Sequence, residues 1–179
     1  MAKVTLSSDW LAGCAGCHMS LLDMDERLIA LLEQVELNAT PITDLKQPPV
    51  TGVTVGVLEG AVANSATEEV AHRMRARSKI LIALGDCAVF GGVPAMRNRV
   101  CPRAALQRAY IESESTVDGK IPDDPELATA TSVRAVGDVV KVDVCVPGCP
   151  PSPEAILFAV GELLAGRKPV LSGSNLDWH

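Results

Sequence analysis

Strand-like and helix-like segments alternate along almost the whole chain, and this alternation limits the fold more than any other feature. The predicted strands, which are rich in Val, Ile and Leu, are KVTLSS, TGVTVGVLEGAV, KILIALGDC and VVKVDVCVPGC. The predicted helices, which have apolar residues at helical spacing or helix start and stop signals, are DMDERLIALLEQVEL, NSATEEVAHRMRARS and PSPEAILFAVGELLAGRK. This order predicts an α/β fold: a flavodoxin-like three-layer domain with a mostly parallel sheet between helices.

Length and charge narrow the functional class. With 179 residues, the chain favours one domain, which we place over residues 1–179. A net charge of -6 and only 3% aromatic residues argue against nucleic-acid binding, which requires basic surfaces and stacking side chains. The start MAKVTLSSDWL lacks an export signal, and the apolar run AILFAVGELLAG is too short to span a bilayer. We therefore expect a cytoplasmic protein with no membrane span.

Cysteine is the residue type that points to chemistry. In a reducing cytoplasm, cysteines are better interpreted as metal ligands or catalytic thiols than as disulfides. The six cysteines are Cys14, Cys17, Cys87, Cys101, Cys145 and Cys149. The run AGCAGCH at residues 12–18 is compatible with covalent haem attachment, half of a zinc site, a redox-active dithiol, or two ligands of an iron–sulfur cluster.

Four of the cysteines follow predicted strands directly. Cys14 and Cys17 come after the first strand, Cys87 after KILIALGD, and Cys149 after the strand VVKVDVCVP. Ligands of open parallel sheets bind at the carboxyl ends of the strands, so we expect these four thiols to meet there. Their loops are rich in Gly and Pro, which allow the backbone to approach a bulky ligand.

The alternatives differ in how many cysteines they use. A haem site would take His18 as an axial ligand and would leave Cys87 and Cys149 without a role. A flavin site would require phosphate-binding loops where this chain has cysteines. An iron–sulfur cluster uses all four thiolates, and so does a structural zinc site, which stays open as a less favoured alternative.

The two remaining cysteines, together with His18 and Glu59, are not expected to be ligands. Cys145 is expected to be a small buried residue, and Cys101, which we place at a helix start, a structural or semi-exposed thiol. His18 is expected to lie beside the site or at an interface. Glu59 ends a predicted strand at the same edge of the sheet, which makes it a candidate for the cluster surroundings or a proton path, although a surface or interface carboxylate is the simpler reading.

These residues carry a resemblance to a known family. The stretches DWLAGCAGCHMSLLDMDERL, VLEGAVA, GDCAVFGGVPAMRN and VPGCPPSPE resemble the small subunit of NiFe hydrogenases, in the short form of cytoplasmic NAD-reducing enzymes. The resemblance implies one 4Fe-4S cluster held by Cys14, Cys17, Cys87 and Cys149, so that residues 1–179 form a single iron–sulfur domain. It further implies a large subunit with the NiFe centre, and diaphorase partners with FMN and further iron–sulfur clusters. No second set of four cysteines is present for another cluster.

A related family is the nearest rival. The predicted sheet and cysteine set also resemble those of the cluster-bearing small subunit of respiratory complex I. That family, however, typically has adjacent cysteines where this chain has Cys14-Ala-Gly-Cys17. Many hydrogenase small subunits also have Glu where this chain has Gly13. A complex I-type subunit of a quinone- or ferredoxin-linked oxidoreductase is therefore the alternative function.

Overall fold

The structure is a computed structural model that describes residues 3–176. Its strands are β1 (Val4–Trp10), β2 (Val35–Ala39), β3 (Val53–Glu59), β4 (Val62–Asn64), β5 (Ser78–Leu84), β6 (Ala130–Arg134) and β7 (Val144–Val146). Its α-helices are α1 (Gly16–Leu22), α2 (Glu26–Gln34), α3 (Ser65–Arg77), α4 (Gly85–Phe90), α5 (Pro102–Tyr110) and α6 (Pro153–Leu164). Short 3-10 segments cover Val93–Arg99, Val136–Asp138 and Gly173–Leu176.

Five of the strands form one sheet, in the order β2-β1-β3-β5-β7. All of its neighbouring strands run parallel. Apolar side chains of α2 and α6 pack on one face, whereas those of α3 and α4 pack on the other. The α/β prediction of a three-layer, mostly parallel, flavodoxin-like domain is confirmed, and the strand order is the one that such folds adopt.

The first predicted helix was too long at its carboxyl end. The predicted helix included VEL, yet these residues begin the segment VELNA that forms β2, an edge strand that pairs with β1 from Val4↔Val35 onward. Val35 and Ala39 are both buried there. Pairing with a neighbouring strand overrides a weak local preference, so the helix ends at Gln34.

The second and fourth predicted strands also differ from the structure: the second ends as β3 at Glu59, and its last residue, Val62, begins β4. A small antiparallel ribbon of β4 and β6 stands beside the main sheet. The strand predicted over residues 139–149 shrinks to the three residues of β7, the other edge of the sheet. Cys145 therefore points outward and is exposed, which corrects the expectation that it packs as a buried residue.

The amino end of the sheet is held by one partly buried carboxylate. Asp143 Oδ2 accepts hydrogen bonds from Arg75 Nη1 at 2.6 Å and from the Leu81 N–H at 2.9 Å. Burial alone would raise the pKa of Asp143, but these hydrogen bonds and the Arg75 charge outweigh it and lower the pKa. Within residues 3–176, no helix combines the length and apolarity needed to cross a bilayer.

Candidate metal centre

Four cysteines lie at the carboxyl edge of the sheet, two in loops and two in the first turn of a helix. Cys14 lies between β1 and α1, and Cys17 is the second residue of α1. Cys87 is the third residue of α4, directly after β5, and Cys149 follows β7. Because β1, β5 and β7 are parallel members of one sheet, their carboxyl ends open onto the same edge.

Hydrogen bonds connect the three cysteine-bearing segments: α1, the start of α4 and the loop after β7. The Asp86 N–H donates to Gly148 O at 2.8 Å, and the Gly148 N–H returns a bond to Asp86 Oδ1 at 2.7 Å. Ser20 Oγ in α1 donates to Pro151 O at 2.5 Å. The loop after β7 is thereby joined to the start of α4 on one side and to α1 on the other.

The loop that carries Cys14 is tied to the end of β3. The Leu11 N–H donates to Glu59 O at 2.7 Å. Ala12 and Ala61 exchange a pair of backbone hydrogen bonds, of 3.0 and 2.8 Å, as an isolated antiparallel bridge. The backbone leading to the first cysteine is therefore fixed by the sheet.

Glycines leave room for the thiols at two points. Gly85 has φ +81°, and a Cβ there would overlap Cys17 Sγ. Gly92 has φ +49°, and a Cβ there would lie 2.9 Å from Cys87 Sγ. Both the left-handed backbone and the close approach of sulfur require the absence of a side chain.

The thiols influence one another electrostatically. Burial raises the pKa of the Cys17 thiol far above its usual range, and the charge of Glu59 acts in the same direction. Cys87, Cys14 and Cys149 raise this pKa further. A cationic metal group bound by these sulfurs would offset this unfavourable accumulation of negative charge.

Cys87 is affected in a similar way. Burial raises its pKa, with a contribution from the neighbouring Cys149, whereas a hydrogen bond from the Val93 backbone N–H acts in the opposite direction. A backbone N–H that points at the sulfur is the type of contact that tunes a cluster ligand. Cys101, at the N-cap of α5, and Cys145 are exposed and are not among the charges acting on these thiols.

The spacing of the thiols bears on the kind of metal group that would fit. Within residues 3–176, no three His, Cys, Asp or Glu side chains are gathered closely enough to hold a single metal ion. In a tetrahedral zinc site with Zn–S bonds of about 2.3 Å, the sulfurs stand only ~3.8 Å apart. A cubane binds each thiolate through a different iron, so it accepts a wider ring of sulfurs. The donor set of four thiols, with Gly85 and Gly92 leaving space beside two of the sulfurs, has the chemistry that a cluster requires.

Glu59 and His18, the residue that follows Cys17, form a buried hydrogen-bonded pair. Glu59 Oε2 accepts the His18 backbone N–H at 2.8 Å and forms a second, short hydrogen bond with Nδ1 of the same residue. His18 Nε2 is hydrogen-bonded to Ser8 Oγ at 2.9 Å. Glu59 and His18 are each only 2% exposed. Glu59 does lie at the cysteine edge, but the simpler reading of a surface or interface carboxylate was wrong.

Apolar side chains stand exposed in the segment that follows Cys87. Phe90, Val93 and Met96, just after Cys87, are 68%, 66% and 64% exposed. Several large apolar residues exposed close together are typical of surfaces that contact another protein. We refer to Phe90, Val93 and Met96 as the apolar rim.

A flavodoxin-like α/β domain that carries cysteine thiols at the carboxyl edge of its sheet has the donor type that iron–sulfur clusters use, at the edge where open parallel sheets bind ligands. Residues 14–163 match the family model of the NADH ubiquinone oxidoreductase 20 kDa subunit. The chain therefore belongs to this family.

Individual relatives refine the placement. The chain is 40% identical, over 92% of its own length and 80% of the relative's, to the NAD-reducing hydrogenase HoxS subunit delta of Cupriavidus necator. It is 34% identical to one of the subunits of the F420-non-reducing hydrogenase of Methanothermobacter thermautotrophicus, covering 97% of this chain but 58% of that one. The chain thus spans little more than half of the second relative. The resemblance to hydrogenase small subunits is confirmed.

A solved structure agrees over the full length. A chain in the crystal structure of an NAD+-reducing [NiFe]-hydrogenase in the H2-reduced state superposes with a TM-score of 0.93 and 36% identity. The match covers 99% of this chain and 100% of that chain. The fold that positions the cysteine loops is therefore shared with a hydrogenase component.

Proposed function

We propose that the chain is the electron-transfer small subunit of a NAD-reducing NiFe hydrogenase, with Cys14, Cys17, Cys87 and Cys149 holding one 4Fe-4S cluster. The single observation that carries this proposal is the convergence of three segments, which together carry the four cysteines, at one edge of the sheet. The similarity to a component of an NAD-reducing hydrogenase supports it. In this proposal residues 1–179 act as a single iron–sulfur domain in the cytoplasm.

The chain's own residues would hold the cluster and shield it. The cluster, when bound, supplies a one-electron carrier between the NiFe site of the large subunit and the clusters and FMN of the diaphorase partners. Burial of Cys17 keeps water from that ligand, and Gly85 and Gly92 keep carbon atoms out of the space beside the sulfurs. The apolar rim offers a docking face for the large subunit, which would cover the cysteine edge.

Metal and sulfide analysis tests the cluster directly. Protein purified without oxygen from its native host is expected to contain roughly four irons and four acid-labile sulfides per chain, because one cubane has that composition. Electron paramagnetic resonance after reduction should show one cluster signal assignable to this chain. Zinc without sulfide would contradict the proposal and would leave a structural zinc protein.

A complex I-type small subunit is the second candidate, since the family model that matches this chain is that of the 20 kDa subunit of NADH ubiquinone oxidoreductase. The two candidate functions differ in the electron donor and in the electron acceptor. The complex purified through a tag on this chain is expected to reduce NAD+ with H2 and to contain nickel. Reduction of quinone by NADH, without nickel and without uptake of H2, would favour the second candidate instead.

A further inference from the structure

The first turn of α1 has no capping side chain of its own. Its N-cap residue is Ala15, which lies in the left-handed region with φ 64° and makes no side-chain cap hydrogen bond. The first N–H groups of a helix lack partners within the helix, so a buried first turn requires an acceptor from elsewhere. Cys17 lies in this turn, and the direction of its thiol depends on what holds the turn.

Glu59 supplies that acceptor from another element. Its Oε2 atom accepts the backbone N–H of His18, which is the third residue of α1, and is also bonded to the His18 ring. The far side of the ring is held by Ser8 in β1. A carboxylate that bonds both the backbone and the side chain of one residue fixes that residue in position and in rotation.

The carboxylate is itself rigidly placed. Glu59 is the last residue of β3, the central strand of the sheet, and is in register with Trp10 of β1. Its backbone carbonyl also accepts the N–H of Leu11, at the start of the Cys14 loop. Both the Cys14 loop and the turn that carries Cys17 are thus attached to one residue of the central strand.

We propose that Glu59 is a positioning residue: its side-chain oxygen acts as a remote cap of α1 and, through His18, sets the orientation of Cys17 toward the cluster. The role depends on the distance to which the side chain extends its acceptor oxygen, and not on negative charge. This inference rests on the proposed function, in which Cys17 is a cluster ligand.

Two substitutions separate the effect of the length of the Glu59 side chain from the effect of its charge. Glu59→Gln keeps the length and one acceptor oxygen but removes the charge. Glu59→Asp keeps the charge but withdraws the carboxylate by ~1.5 Å, one C–C bond, from the His18 N–H. Asp143→Asn is a matched control, because Asp143 also accepts a backbone N–H and a basic side chain, but at the opposite end of the sheet.

The measurement is the rate at which a chelator removes iron from the complex purified without oxygen, together with its electron paramagnetic resonance spectrum. Residues that orient a metal ligand are typically worth 10–100-fold in metal affinity, so Glu59→Asp is expected to speed iron release by about 10–100-fold and to alter the spectrum. Glu59→Gln and Asp143→Asn should keep the unsubstituted rate and spectrum.

Iron release at the unsubstituted rate from Glu59→Asp, or accelerated iron release from Glu59→Gln, would overturn the positioning role. If Glu59→Asp does not fold, Ser8→Ala provides the test: release faster than in the unsubstituted protein supports the role, whereas an unchanged rate refutes it. A lack of iron and sulfide in the unsubstituted protein would refute the proposed function itself, so the two failures are distinguishable.

Discussion

Replacing Cys87 or Cys149 by Ser is expected to abolish cluster binding. Each of these residues is the only cysteine in its loop, and no other cysteine is among the charges that act on the buried Cys17 thiol besides these two and Cys14. A cubane needs four thiolates, and a serine hydroxyl is a poor substitute for one of them. Iron should fall from roughly four per chain to below about one.

Cys101→Ser provides the matched control for these substitutions. Cys101 is an exposed cysteine at the N-cap of α5 and should be replaceable without loss of iron or sulfide. Serine is also a good N-cap residue, so this substitution should not disturb the helix. Loss of the cluster in Cys101→Ser, with an intact cluster in Cys149→Ser, would show that the ligand set is wrong.

Much of the fold could be predicted because its signals are local. Residues 81–84 of the run KILIALGDC are buried on both faces in β5, and such an apolar run predicts a strand without knowledge of its neighbours. The start of α3 was marked by Asn64, which accepts the Thr67 N–H in a capping box. The start of α6 was marked by Ser152 and Pro153, and Ser152 Oγ accepts the Ala155 N–H.

The elements that sequence reasoning missed depend on distant partners. VELNA is a strand only because β1 lies beside it, and β4 pairs with β6 across some 65 intervening residues (Asn64 to Ala130). The short helices α1 and α4 have six or seven residues each, too few to show a helical period.

The candidate site was predictable in one respect and not in another. The gathering of the cysteines follows from strand direction alone, since loops after parallel strands share an edge. The bond between Glu59 and His18 joins residues 41 apart, and no spacing pattern encodes it. The letters VLEG fit a solvated strand end equally well, so the burial of Glu59 required the packed structure.

Gly85→Ala is expected to disrupt the centre without removing any ligand. The new Cβ would overlap Cys17 Sγ, and the residue would have to adopt φ +81°. Backbone strain of this kind costs about 2 kcal/mol, which corresponds to a fall in the midpoint of thermal unfolding of roughly 4–8 °C. Because Cys17 has to move aside, iron per chain should fall as well, by at least about half relative to the single cubane expected.

A second glycine, at which an added Cβ would meet no neighbour, provides the control for Gly85→Ala. Gly161 lies inside α6, and a Cβ there would meet nothing within 4 Å. Gly161→Ala should therefore keep the iron content and stabilise the protein by roughly 0.5–1 kcal/mol, the usual gain from Ala in a helix. Full iron content in Gly85→Ala would show that the Cys17 thiol does not need the space beside Gly85, and would contradict the assignment of Cys17 as a ligand held at that point.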